Sequence, residues 1–330
     1  MQIPAAATAF VPPSSGTTSP IDSRPLTPRV DGTLRLASPD AAGRSFVSAA
    51  SGLAAAPGGS AWVVSDEYGA LVRFDALDAP GTLHAGLVHG EHKPDLEAVL
   101  VIDADASSGE PAMLFAAGSG SGTHRNRGVV QDLDAAGAPL GAPREIDLKP
   151  LYARLAGTLP ELNVEGMALR QTRTGAELLV FHRGQRLGNP NQIFRLDAAV
   201  AIDAMRRGAP LPASALAGVT QLDLGTIDGV PLGFADARAL PDGRIAFLAS
   251  AEDSQNGPHG ETLGTVVGLL DSQLSVTTLR PLTGPARKAE GIELAAAFDA
   301  SAGANELVLV TDPDDAAKPT ERLRVDLDAS

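Results

Sequence analysis

Cysteine is absent from the 330-residue sequence. Its absence excludes disulfide bonds and sites in which thiolates bind zinc or iron–sulfur clusters. No stretch approaches the roughly 20 apolar residues of a transmembrane helix, and no basic segment followed by an apolar run marks a signal peptide. Positive charge is scarce as well: the net charge of −14 argues against nucleic acid or an anionic membrane as a partner. We therefore expect neither partner and a cytoplasmic protein, with the periplasm as an alternative if a signal peptide has been removed.

The hydrophobic content of 44% over 330 residues is enough to bury a large core without covalent or metal cross-links. Residues 1–30 are rich in Pro, Ser, Thr and Ala and carry few charges, so we expect a disordered leader there. Length alone suggests two domains, but an all-β propeller of this size is one domain. Residues 31–330 are expected to form that single domain, and the protein is expected to be a monomer.

A short acidic pattern recurs along the chain. Each copy is a carboxylate followed by Gly, or by Ala, and then usually by an apolar run; the four acids are Glu97, Glu165, Asp236 and Glu290. A fifth copy at Ser51-Gly52 keeps the small residue and lacks the acid. Repetition of one supersecondary unit is typical of a repeat architecture.

The runs between the turns read as short β-strands, four in each unit but only three in the last. An additional strand at residues 32–37 would complete that last unit and leave no long open edge. The sequence thus predicts an all-β protein, a single five-bladed β-propeller whose N-terminal strand closes the last blade. A six-bladed propeller is the alternative, because the acids are spaced more widely than the roughly 40–50 residues of compact propeller repeats. Residues 150–155 and 198–207 are predicted to form short helices.

The repeated acids suggest a metal site if each one begins the inner strand of a blade. They would then meet at one mouth of the central channel, where four carboxylates cannot all stay ionised without compensation. A hard cation with oxygen ligands, above all Ca²⁺, supplies it. We therefore predict calcium bound by Glu97, Glu165, Asp236 and Glu290. In the alternative the acids are solvated or form ion pairs with Lys93, Arg183, Arg238 and Lys288.

A second set of polar residues follows the second strand of each unit, where loops on one face of a scaffold often carry function. His182 or Glu252 is the predicted general base, with Arg183 beside the substrate. The loop 118–128 holds two arginines that could bind phosphate or carboxylate, but it lacks the ending of a P-loop. No Gly-x-Ser-x-Gly motif is present. The predicted substrate-binding residues are Lys93, Ser119, Arg125, Arg127, Asn163, Asp253, Lys288 and Asp312.

Several of these motifs carry a resemblance to known propellers; they are residues 93–97, 118–121, 126–127, 163–166, 233–236, 251–253 and 288–291. The acid-Gly pattern resembles bacterial propellers grouped with the esterase-like-activity-of-phytase proteins. The set as a whole is still more similar to a bacterial propeller family of unsettled function, over about residues 45–320. The phytase-like resemblance implies hydrolysis of esters or phosphoesters with the help of Ca²⁺. Here Ser51 replaces one acid, so that position could hold a water or a substrate atom.

Two functions are compatible with these observations. The first is a metal-assisted hydrolase that acts on a small anionic ester, lactone or phosphoester, with the cation polarising the scissile group or activating a water. The second is a non-catalytic propeller that binds a small ligand and uses the channel acids to hold its blades together. Because one fold hosts many activities, the choice between them depends on the geometry of the site.

Overall fold

The computed structural model describes residues 9–13, 20–65, 69–85, 87–88, 94–184, 189–253, 260–285 and 287–329. Within these ranges the chain forms 22 β-strands, which make five antiparallel sheets, and two α-helices. None of the helices in these ranges has the length and apolar character needed to cross a membrane.

The sheets follow one another along the chain as blades. Two short strands come first, β1 (Phe10–Val11) and β2 (Arg29–Thr33). Blade 1 contains β3 (Ala50–Ala55), β4 (Ala61–Ser65), β5 (Ala70–Phe74) and β6 (Thr82–His84). Blade 2 contains β7 (Leu96–Ile102), β8 (Ala112–Gly118), β9 (Arg127–Leu133) and β10 (Pro139–Asp147), and helix α1 (Lys149–Leu155) follows it.

The remaining three blades follow in chain order. Blade 3 contains β11 (Val164–Thr172), β12 (Gly175–His182), β13 (Asn191–Asp197) and, after helix α2 (Ala198–Arg206), β14 (Leu216–Leu222). Blade 4 contains β15 (Thr226–Ile227), β16 (Val230–Ala239), β17 (Ile245–Asp253), β18 (Glu261–Leu270) and β19 (Val276–Pro281). Blade 5 contains β20 (Lys288–Leu294), β21 (Glu306–Asp312) and β22 (Glu321–Asp326).

The inner strands β3, β7, β11, β16 and β20 form a closed ring, since each contacts the inner strand of the next blade and β20 contacts β3. Strand β2 pairs with β22 and becomes the outer strand of blade 5. The predicted five-bladed propeller, closed by a strand from the N-terminal region, is therefore confirmed. The closing strand is Arg29–Thr33, a few residues before the predicted 32–37.

Parts of the predicted leader pair with the two edges of the blade 4 sheet. Strand β1 pairs with β15 at the edge next to the inner strand β16. At the outer edge the backbone of Leu26 hydrogen-bonds to Pro281 and Thr283 beside β19. The Leu26 side chain is only 1% exposed and belongs to the core between blades 4 and 5. The sequence did not indicate this placement, because one buried leucine among Pro, Ser and Thr makes no periodic pattern.

The two predicted helices are present and lie outside blades 2 and 3. Helix α2 begins at Asp197, whose carboxylate accepts hydrogen bonds from the backbone N–H groups of Ala199 and Val200, as expected of an N-cap. The helix buries Ala201, Ala204 and Met205 against the core shared by blades 2 and 3. It therefore covers the edge between these blades and stays away from the channel.

Each inner strand contains a β-bulge at the same place. The bulged residues are Ser51, Glu97, Glu165, Ala235 and Glu290. Glycine follows the bulge where the next blade comes very close: a Cβ on Gly166 would lie 2.8 Å from the Cα of Asp236. In blade 4 the bulge is at Ala235, so Asp236 occupies the position that glycine holds in blades 1, 3 and 5. Asp236 was predicted to be equivalent to the other three acids, but it lies one residue beyond the position that they occupy.

Candidate functional site

Arg183, directly after β12, links three blades at the mouth of the channel. Its Nε donates to the carbonyl oxygen of Phe234 at 2.8 Å and lies 3.2 Å from Glu165 Oε1. Nη1 lies 3.0 Å from Glu252 Oε1, and Nη2 lies 3.1 Å from Glu290 Oε1. The bulges of β11 and β20 thus direct two of the repeated acids toward one guanidinium.

Lys288 is the second cation at this mouth. Its Nζ lies 3.1 Å from Glu290 Oε1, 3.1 Å from Asp314 Oδ1 and 3.5 Å from Asp312 Oδ2. We call the connected ionisable groups the mouth cluster: Glu165, Arg183, Glu252, Lys288, Glu290, Asp312 and Asp314. Five carboxyl groups and two cations make the cluster acidic if every group is ionised.

The environment moves the pKa values of neighbouring carboxyl groups in opposite directions. Burial raises the pKa of Glu165 to about 8; Arg183 opposes this rise, and repulsion from Glu290 and Glu252 adds to it. Burial acts on Glu290 in the same sense, but Lys288 and Arg183 outweigh it and hold its pKa below the ordinary value. At neutral pH Glu165 is therefore protonated and Glu290 is ionised.

This raised pKa predicts a pH-dependent stability. The native state holds the Glu165 proton more tightly than the unfolded chain, whose glutamate has a pKa of 4.5, so stability falls as pH rises from 4.5 through 8. Glu165→Gln should remove this component: between pH 5.5 and 8.5 the wild type should lose on the order of a few kcal/mol more unfolding free energy than the variant. Urea unfolding at both pH values measures it. An equal change in unfolding free energy for wild type and variant would contradict the raised pKa of Glu165. Glu145→Gln, at an exposed ion pair, serves as the control.

Asp312, which the sequence predicted to bind substrate, ends β21 and belongs to the same cluster through Lys288. Burial raises its pKa to about 7, and repulsion from Glu290 adds to the rise while Lys288 opposes it. A cleft of about 780 Å³ adjoins this side of the cluster and is lined in part by Arg287, Lys288, Asp312, Asp314, Lys318 and Glu321. Its volume is within the range of small-molecule sites, and three members of the mouth cluster line it: Lys288, Asp312 and Asp314.

The predicted calcium site does not fit these residues. Cationic groups of Arg183 and Lys288 lie where the carboxylates converge, so the ion-pair alternative describes the mouth. Asp236 lies elsewhere, only 1% exposed, and accepts hydrogen bonds from the N–H groups of Ala237 and Ile292 at 2.8 and 2.9 Å. Burial raises its pKa well above the ordinary value. In the described part of the chain, no group of three or more His, Cys, Asp or Glu side chains is arranged to hold a metal ion.

His182 does not have the surroundings of a general base. The residue is fully buried; its Nδ1 lies 2.9 Å from the backbone nitrogen of Asn163, and its Nε2 lies 3.1 Å from Asn189 Oδ1. Burial lowers its pKa, although both asparagines oppose the shift. The imidazole instead holds Asn163, whose side-chain amide donates to Glu165. Asn163 was predicted to bind substrate, and in the structure it orients a carboxyl group.

The predicted arginines of blade 2 are each paired with a carboxylate. Arg125 Nη1 lies 2.9 Å from Asp95 Oδ2, which also accepts a hydrogen bond from the Ser119 hydroxyl at 2.5 Å. Arg127 pairs with Glu145 on the neighbouring outer strand at 2.8 Å. Asp95 was missed by the sequence analysis. A signal existed, since a polar residue stands two positions before the bulge in three blades: Asp95, Asn163 and Lys288.

The remaining predicted residues are more dispersed. Glu97 lies half-buried at the bulge of β7, and Asp253 ends β17. Lys93 lies outside the described residues. The structure therefore brings together six of the predicted residues in the mouth cluster: Glu165, Arg183, Glu252, Lys288, Glu290 and Asp312. Asp314 joins them through Lys288.

Residues 46–327, almost the whole propeller, match the profile of a family of unknown function. The chain belongs to this family, DUF6929. The match supports the resemblance to a propeller family of unsettled function, and it does not extend to the phytase-like resemblance. No curated protein matches the sequence.

Solved structures resemble this DUF6929 member at low sequence identity. An α-L-arabinofuranosidase from Podospora anserina is 13% identical with a TM-score of 0.49, covering 93% of this chain and 98% of the other. A PQQ-bound aldose sugar dehydrogenase from Streptomyces coelicolor is 15% identical with a TM-score of 0.48, covering 96% and 100%. These neighbours include hydrolases and dehydrogenases, and at such values the similarity carries no argument about the reaction of this chain.

Proposed function

We propose that this DUF6929 chain is a hydrolase that cleaves a small uncharged ester or lactone at the mouth of its channel by general acid–base catalysis. The observation that supports the proposal is the pair Glu165 and Glu290. Both carboxyl groups contact one guanidinium, and their pKa values are displaced in opposite directions. Enzymes that need an acid and a base at neutral pH use such pairs.

The two groups take complementary parts in the reaction. Ionised Glu290 accepts a proton from a water molecule as the water oxygen attacks the carbonyl carbon of the substrate. Protonated Glu165 donates its proton to the alcohol oxygen as the carbon–oxygen bond breaks. The products are a carboxylic acid and an alcohol, and proton exchange with solvent returns both groups to their starting states. General acid–base catalysis of this kind contributes roughly 10²–10⁴-fold to a rate.

The charges at the mouth favour an uncharged substrate over the anionic one that the sequence suggested. Four of the five cations predicted near the substrate contact carboxyl groups in the structure, and the fifth, Lys93, lies outside the described residues; the four are Arg125, Arg127, Arg183 and Lys288. The mouth cluster contains more carboxyl groups than cations, so an anion would meet repulsion there. Arg183 acts as a positioning residue that holds Glu165, Glu252 and Glu290 together.

A non-catalytic ligand-binding propeller is the second candidate. It is favoured by the way Arg183 connects blades 3, 4 and 5, because a network of this kind also serves to hold blades in place. In that case the acids are structural, and the cleft beside Lys288 binds a small molecule without changing it. Turnover distinguishes the two functions.

Activity of the purified protein on neutral chromogenic esters and lactones tests the proposal. Glu165→Gln and Glu290→Gln should each lower kcat/KM by about 10²-fold or more, since each removes one proton transfer. Glu145→Gln, the same change at an exposed ion pair, should keep wild-type activity. In the wild type the alkaline limb of the pH profile should fall near the Glu165 pKa of about 8. Full activity of a folded Glu165→Gln protein would refute the assignment of the proton donor, and binding without turnover would favour the second candidate.

A further inference from the structure

Blade 1 differs from its neighbours at the bulge, where Ser51 stands in place of a carboxylate. Ser51 is only 2% exposed, and its Oγ has no hydrogen-bond partner among the described residues. An enclosed hydroxyl group without a partner costs free energy, so buried polar groups are nearly always paired with protein or with ordered water. The Ser51 hydroxyl therefore points to a small polar ligand.

Ser51 lies between two acid-bearing bulges. On one side the bulges of blades 5 and 1 abut: a Cβ on Gly291, next to Glu290, would lie 3.0 Å from the carbonyl carbon of Gly52. On the other side, a Cβ on Gly52 would lie 3.0 Å from the carbonyl oxygen of Glu97. The backbone around Ser51 is thus in direct contact with both neighbouring bulges, and the one on the side of blade 5 carries Glu290 of the mouth cluster.

We propose that the Ser51 hydroxyl binds a water molecule beside Glu290 and that this water is the nucleophile of the proposed hydrolysis. The hydroxyl can donate one hydrogen bond and accept others, which suits a water that must donate its own proton to a carboxylate. Ser51 is only 2% exposed, so the ligand that its hydroxyl binds is expected to be small, of the size of a water molecule. In the reaction the water oxygen bonds to the carbonyl carbon, its proton passes to Glu290, and Ser51 orients the oxygen without reacting. Ser51 is therefore a positioning residue.

A high-resolution crystal structure with the variant Ser51→Ala tests the water site independently of any activity. We expect electron density within hydrogen-bond distance of Ser51 Oγ in the wild type, its loss in the variant, and a lower Tm for the variant. Ser60→Ala is the matched control, because Ser60 is 1% exposed and its hydroxyl donates to the Pro57 carbonyl at 2.9 Å. A site without density, together with a variant more stable than the wild type, would show an unpartnered hydroxyl and overturn the inference.

The assignment of this water as nucleophile rests on the proposed function and has a separate kinetic readout. Ser51→Ala should lower kcat by about tenfold or more with KM unchanged, since the attacking atom is less well placed. Ser51→Thr keeps a hydroxyl group and should retain most of the activity. An unchanged kcat in Ser51→Ala would show that this water is not the nucleophile. If the wild type cleaves no ester or lactone, the proposed function fails, while the crystal structure still decides whether Ser51 binds water.

Discussion

Replacing Arg183 by methionine is expected to lower the free energy of unfolding by about 3–5 kcal/mol. Three carboxyl groups on blades 3, 4 and 5 contact this one guanidinium at 3.0–3.2 Å; Glu165 and Glu290 are buried, and Glu252 is partly buried. Removing one partner of a buried ion pair leaves uncompensated charge in a medium of low polarity, and this penalty exceeds the worth of the pair itself. Chemical unfolding of the purified variant measures the effect. Met has a similar length and retains the packing of the Arg stem.

The matched control is Arg127→Met at the exposed pair with Glu145, where the expected change is at most about 1 kcal/mol. Combining Arg183→Met with Glu290→Gln should restore part of the lost stability, because it removes one of the buried carboxylates that has lost its contact with the guanidinium. Arg183→Lys should lie between wild type and Arg183→Met, since an ammonium group keeps the charge but cannot serve three carboxylates with one planar fork. If the unfolding free energy of Arg183→Met lies within about 1 kcal/mol of the wild-type value, the mouth cluster does not hold the blades together.

Replacing Arg280 by methionine is the second change with a large expected effect, a loss of about 3 kcal/mol. Arg280 is 1% exposed, on β19. Its guanidinium donates to four backbone carbonyls, two in the N-terminal segment and two after β22, at 2.7–3.3 Å: those of Arg24, Pro25, Leu327 and Ala329. Hydrogen bonds from a charged donor are stronger than neutral ones, and Arg280→Met would lose all four of them.

Hydrogen exchange measures the loss of stability in Arg280→Met and shows which segment loses protection. The amide of Leu26, which donates to the Pro281 carbonyl at 2.8 Å, should exchange faster in Arg280→Met, because its segment is no longer held against blade 4. Amides of β20 and β21 should lose protection only to the extent that global stability falls. Arg24→Met removes an exposed pair with Asp22 and should leave both patterns unchanged. Unaltered exchange at Leu26 in Arg280→Met would show that Arg280 does not hold the N-terminal segment.

The candidate site was predicted in part because its residues lie at fixed places in a repeat. Glu165 and Glu290 were recognised by the small residue that follows each acid, and Arg183, Glu252 and Asp312 by the ends of second strands. Asp236 was misassigned because an acid followed by alanine also occurs one residue beyond the bulge. Sequence spacing does not reveal where a bulge inserts its extra residue, since that depends on the pairing with the neighbouring strand.

Local pattern was enough to predict five blades, most of their β-strands and a closing strand within a few residues of its place, because strand periodicity and turn signals depend on neighbouring residues. Tertiary structure alone decided the chemistry of the mouth. Whether Glu165 holds a proton depends on burial and on charges from residues 18, 87 and 125 positions away, namely Arg183, Glu252 and Glu290. The same holds for Arg280, whose carbonyl partners come from both ends of the described chain, and for Ser51, whose neighbours belong to other blades. Desolvation and charge pairing act through space, so residues far apart in sequence set the state of each group.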